Sequence, residues 1–171
     1  TVPGIFSLFD GWTSHAYPNP AFISSPYNTG NVGIRSYQYE IDFIQNDFGV
    51  YGLKVFITET GWDKERLGEE TVAEYYKSAF NDVWNNDYLV AVTPFLLSAQ
   101  AGDFKKFTWM NGGEPSLIYQ KIKLMKKNSG NPERDDKLDI NAKTGDDNSN
   151  WSAQKTNIWS RTSKDYLKKI L

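Results

Sequence analysis

The residue with the plainest chemical capacity is Glu59, in the stretch VFITETGW that runs from Val55 to Trp62. An apolar, β-prone run of this kind reads as a buried strand, and a carboxylate at its end is held by rigid backbone. Such a group can attack an electrophilic carbon or exchange a proton. It can equally pair with an arginine or cap a helix. His15 and Tyr17 stand two residues apart in SHAYP and bring an imidazole and a phenol. Trp62 closes the Glu59 stretch, and Trp109 follows a lysine-bearing loop in GDFKKFTWM. Each of these rings can face a ligand or fill a core. Trp12 lies inside a β-prone run, where a core or sheet-wall position fits it best.

The surrounding elements decide whether these groups can meet. Residues 5–17 read as a strand that Pro18 and Pro20 stop. From Ile34 to Phe48 the apolar positions Ile34, Tyr37, Ile41, Ile44 and Phe48 recur every three or four residues, which predicts an amphipathic helix. Gly49 and Gly52 end it. Residues 53–59 read as a buried strand and 60–69 as a loop. A second helix is predicted over 69–86, with Val72, Tyr75, Tyr76, Ala79, Phe80 and Val83 on one face. Glu69 and Glu70 sit where the positive end of its dipole favours acid. Tyr88 to Ala99 reads as a third strand, although Pro94 counts against a regular one. Pro115 is expected to open a third helix that runs to about Lys127.

Strand and helix therefore alternate three times, which predicts an α/β fold with a parallel sheet and outer helices. Parallel sheets collect their chemistry at the carboxyl ends of the strands. His15, Tyr17, Glu59 and the Trp109 loop all fall at or after strand ends.

Bulk composition narrows the partners. The net charge of −2 gives no electrostatic reason to expect nucleic acid or an anionic membrane. No run of about 18 apolar residues is present, so no membrane-spanning helix is expected. The chain has no cysteine, which removes disulfides and thiolate metal sites. Aspartates crowd residues 135–147, but without the spacing of a calcium loop, so no metal is expected. Residues 128–150 read as a polar loop or linker, and 151–171 as a C-terminal segment that could close in a short helix.

Three motifs together carry a family resemblance. FITETGW resembles the seventh-strand motif of the clan A glycoside hydrolases, the retaining (β/α)8-barrel enzymes, with families 5 and 39 the nearest in character. SHAYP is similar to the end of their sixth strand, and GDFKKFTWM to their eighth-strand loop. The three occur in the family's order over residues 5–127. The resemblance implies a partial (β/α)8 barrel, strands six to eight with their helices. It implies that Glu59 is the nucleophile and that His15 and Tyr17 line the sugar subsite, with the Tyr17 hydroxyl aligning Glu59. Trp109 would be the aromatic platform under the sugar, with Trp62 and Trp12 weaker candidates for further subsites. The implied partner is a β-linked poly- or oligosaccharide, with no cofactor, and polysaccharide hydrolases often work outside the cytoplasm.

One departure is large. The clan's acid/base usually follows an asparagine, and this chain contains no Asn-Glu pair. A whole barrel takes about 250 residues. The chain starts at Thr1, so an N-terminal part of the barrel carrying the acid/base is expected elsewhere. A non-catalytic carbohydrate-binding barrel or an inactive fragment is the alternative.

Overall fold

A computed structural model describes residues 4–127 of the chain. The expected linker over 128–150 and the C-terminal segment 151–171 lie outside the described residues. The architecture is mixed α/β, with three parallel strands: β1 (Gly11–His15), β2 (Lys54–Glu59) and β3 (Leu89–Val92), in that order across the sheet. Between β1 and β2 runs helix α1 (Ser36–Phe48), and between β2 and β3 run α2 (Lys64–Leu67) and α3 (Glu69–Ser78). A small antiparallel hairpin, β4 (Met110–Asn111) with β5 (Glu114–Pro115), precedes α4 (Leu117–Leu124). Among the described residues no helix is long and apolar enough to cross a membrane.

The register fixes which side chains share a face. Trp12 is level with Val55 and Ser14 with Ile57, and this face packs under α1. Val55 and Ile57 are fully buried there, together with Tyr37, Ile41 and Ile44 of α1. Thr13 is level with Phe56, and Phe56 with Ala91, on the other face. Thr13, His15 and Ala91 are exposed, and among the described residues no helix covers that face of the sheet. Of the predicted stripe, Tyr37, Ile41 and Ile44 are buried on α1, whereas Ile34 precedes the helix and Phe48 is exposed. The helix end is set by Gly49, whose φ of 66° is a left-handed value that glycine adopts without a Cβ penalty.

Several expected boundaries shift for physical reasons. The first strand is short, because residues Ile5–Leu8 turn into a 3-10 helix before β1 begins. The third strand stops at Val92; Pro94 has no N–H for a ladder, and the chain beyond it bonds instead from the Phe95 N–H to the Thr60 carbonyl at 2.8 Å. The second helix leaves α geometry at Ala79, and a π-helical turn covers Ala79–Val83. In that turn the Trp84 N–H reaches the Ala79 carbonyl, and the Trp84 ring packs in the core against Phe80 and Trp62. Pro115 does not open the last helix. It belongs to the hairpin, and the Ser116 hydroxyl caps α4 by accepting from the Tyr119 N–H. The expected loop over 60–69 contains α2, because Asp63 accepts from the N–H groups of Glu65 and Arg66 and so nucleates a turn.

Candidate functional site

Glu59 lies at the carboxyl end of β2, and a register shift aims it. Ser14 pairs with Ile57 but His15 pairs with Glu59, so Thr58 is an extra residue on β2. Strand side chains alternate, and one inserted residue moves the next side chain to the opposite face. Glu59 is thereby carried from the helix-covered face of Val55 and Ile57 to the side of His15. The bulge performs what the alternation of VFITE could not reveal.

Two predicted partners converge on this carboxylate. The Tyr17 hydroxyl donates to Glu59 Oε2 at 3.1 Å, and His15 Nδ1 lies 3.4 Å from the same oxygen. Oε1 accepts no hydrogen bond among the described residues. The Glu59 side chain is 35% exposed and that of His15 59%, so the cluster opens to solvent. The phenol of Tyr17 is pushed well above the usual range, chiefly by burial, then by its hydrogen bond to Glu59 and that carboxylate's charge. Tyr17 is therefore a hydrogen donor at Glu59 and not a base.

Backbone and aromatic contacts hold the pair in place. Thr60 is fully buried and its hydroxyl donates to the Ala16 carbonyl at 2.7 Å, which fixes the segment between His15 and Tyr17 beside Glu59. The Tyr17 ring packs against Phe22, Phe95 and Phe107 at 5.3, 6.2 and 6.2 Å between centroids. Phe22 has φ of 61° and follows Ala21 at 58°, left-handed values that ordinary side chains seldom adopt. Its carbonyl accepts from the Asp63 N–H at 2.9 Å, which secures the strained turn. Strain of this kind concentrates near functional sites.

Behind the sheet a second carboxylate is tied down at both oxygens. Glu40 of α1 accepts from Trp12 Nε1 at 2.7 Å and from the Ser14 hydroxyl at 2.9 Å. Burial raises the Glu40 acid above its usual range, against the pull of those two hydrogen bonds and the charge of His15. Trp12 is thus an anchor between β1 and α1, in keeping with a sheet-wall position.

The two other tryptophans differ from the ligand-facing expectation. Trp62 is 1% exposed, donates from Nε1 to the Ser24 carbonyl, and meets Tyr76 edge-on at 4.8 Å. Trp109 is 8% exposed and also packs edge-on against Tyr76, at 5.0 Å. Both rings are buried in one aromatic core, where the resemblance implied a ligand-facing surface. The ring that stands out beside the site is Phe104, 57% exposed and 5.2 Å from Phe95. Sequence reasoning missed Phe104 and Thr60, because neither a loop ring nor a single buried hydroxyl carries a periodic signal.

Next to the turn that holds Phe107 lies a cleft of about 500 Å³. Among the described residues no group of three or more His, Asp or Glu side chains stands close enough to hold a metal ion. Comparison of the chain with protein families, with curated proteins and with solved structures returns no match.

Proposed function

We propose that this chain is the strand-six-to-eight part of a (β/α)8 barrel in a retaining glycoside hydrolase, with Glu59 as the nucleophile. The observation that carries the reading is the shared oxygen. His15 and Tyr17 both meet Glu59 Oε2, while Oε1 accepts no hydrogen bond among the described residues. A carboxylate held by one oxygen and free at the other is oriented for attack.

In this mechanism the Glu59 oxygen forms a bond to the anomeric carbon and the glycosidic C–O bond breaks, giving a glycosyl-enzyme ester. The departing oxygen takes the bonding pair. With an ordinary sugar it also needs a proton, which in retaining enzymes comes from a second carboxylic acid. That acid is assigned to the part of the barrel before β1. The second carboxylate, now a base, then takes a proton from water as the water oxygen bonds to the anomeric carbon, and the bond from that carbon to Glu59 breaks, restoring the carboxylate. His15 and Tyr17 are positioning groups for the nucleophile, and the exposed Phe104 offers an apolar face to a sugar. The substrate class is a β-linked poly- or oligosaccharide.

The test avoids the missing acid. A 2,4-dinitrophenyl 2-deoxy-2-fluoro-β-glycoside has a leaving group that departs without protonation, and its fluorine slows release of the ester. The expected result is one equivalent of dinitrophenolate and a matching mass gain on the peptide containing Glu59, both absent in Glu59→Gln. Glycoside binding seen by NMR without any adduct would remove Glu59 as nucleophile and leave a carbohydrate-binding barrel.

A further inference from the structure

The cleft beside the Phe107 turn differs in chemistry from the Glu59 cluster. No aspartate or glutamate lines it, and its one charged lining group is Lys105. Lys105 makes no ion pair among the described residues. Its charge is instead felt by another cation: the Lys64 ammonium is held below its usual range, first by burial, with Lys105 adding to the effect against Glu69 and Glu65. Within the lining no acidic side chain offsets the Lys105 charge.

The free donors point the same way. Asn111 is committed, accepting from Lys64 Nζ at 3.0 Å and donating to Glu69 at 3.3 Å. The Thr108 hydroxyl is occupied by backbone partners at Ala99, Leu97 and Met110. Ser98, Gln100 and Lys105 remain, and none of their side chains has a hydrogen-bond partner among the described residues. Met110 adds an apolar wall. One cation, an amide, a hydroxyl and an apolar patch suit a sugar ring bearing a carboxylate, in a cleft of ordinary small-ligand size.

The location ties this cleft to the Glu59 cluster. Lys105, Lys106 and Phe107 form a single 3-10 turn. The Lys106 ammonium of the same turn lies 5.3 Å from the Phe22 ring and 5.4 Å from the Phe107 ring, two of the three rings that pack on Tyr17. One turn therefore faces the cleft with Lys105 and backs the nucleophile cluster with Phe107. We propose that this cleft is a subsite for a uronic acid unit, with Lys105 as the counter-ion, so that the glycan taken by this site is an acidic one. This inference rests on the glycoside-hydrolase reading above.

The experiment titrates the full chain with two hexasaccharides, a β-1,4-linked mannuronate and a β-1,4-linked glucan, while amide NMR shifts are followed. The expected result is at least about tenfold tighter binding of the uronate, with shifts centred on Ser98, Gln100 and Lys105. Lys105→Ala should abolish the preference and Lys105→Arg should keep it, and raised salt should weaken it. Equal binding of both sugars, or a preference that survives Lys105→Ala, overturns the proposal, as does no binding of either. Equal saturation of the same amides by acetate or sulfate alone reduces the cleft to a simple anion site and also overturns it. The dinitrophenyl trap reads the parent reading separately. An adduct on Glu59 without uronate preference sinks only this inference. Uronate binding without an adduct sinks the nucleophile and leaves the subsite standing.

Discussion

The hydrogen bond from Tyr17 to Glu59 is the contact on which the chemistry depends most directly. A hydrogen bond to a charged group is worth about 1.5–3 kcal/mol, or roughly 10–100-fold in a rate it supports. Tyr17→Phe should slow trapping of Glu59 by about that factor, measured as the rate of the mass gain. Stability in urea should change by less than about 1 kcal/mol, because the ring still packs and Glu59 can take a water instead. Since burial and Glu59 raise the Tyr17 phenol above its ordinary value near 10, the trapping rate should show no loss from Tyr17 ionisation up to about pH 10. Thr60 is the complementary case. Thr60→Val keeps the shape but leaves the Ala16 carbonyl unpaired in the interior, at a cost of about 1–3 kcal/mol in urea unfolding. The sequence made Glu59, His15 and Tyr17 legible because they sit at predicted strand ends. It could not place Trp62 and Trp109, since an indole near a strand end reads the same whether its faces meet a ligand or Tyr76.

Elements were legible where periodicity was strong and opaque where single backbone groups decide. The apolar spacing of Tyr37, Ile41 and Ile44 located α1 almost to its ends, and Gly49 marked its stop. The bulge at Thr58 left no trace in VFITE, although it turns Glu59 to the open side. The π-helical turn at Ala79–Val83 was equally silent, because it arises from how Phe80 and Trp84 fit the core. Gly61 offers a sharp test of how the β2 end is packed. A Cβ there would lie 3.0 Å from Cδ1 of Phe107, which is itself buried against Phe22 and Tyr17. Gly61→Ala must therefore displace a ring wedged between its neighbours, and overpacking of this kind costs about 1–3 kcal/mol. Thermal unfolding should report the loss, and the Tyr17 ring protons should shift with Phe107. A variant as stable as the parent, with those signals unmoved, would mean that Phe107 is looser than its packing indicates.

Among the described residues the sheet is lopsided, with helices on one face and Thr13, His15 and Ala91 exposed on the other. The covered side is where stability responds to pH, because Glu40 joins α1 to β1 there through Trp12 and Ser14. Burial raises the folded-state acid above its ordinary value near 4.3, so the native chain holds that proton more tightly than the unfolded chain does. The stabilisation is then fully present below the ordinary value and is lost as pH rises through the raised folded one. Glu40→Gln keeps the side-chain shape and removes the buried charge. It retains one acceptor oxygen, so it can serve either Trp12 or Ser14 but not both. In urea unfolding the stability of the parent relative to Glu40→Gln should accordingly fall as pH rises above the ordinary carboxylate value. His15 opposes the shift when protonated, so His15→Ala should raise the Glu40 acid further and widen the window over which the fall occurs. Parallel pH curves for the parent and Glu40→Gln would mean that the two hydrogen bonds fully offset the burial. Glu40 would then be a neutral tether of the strand that ends in His15.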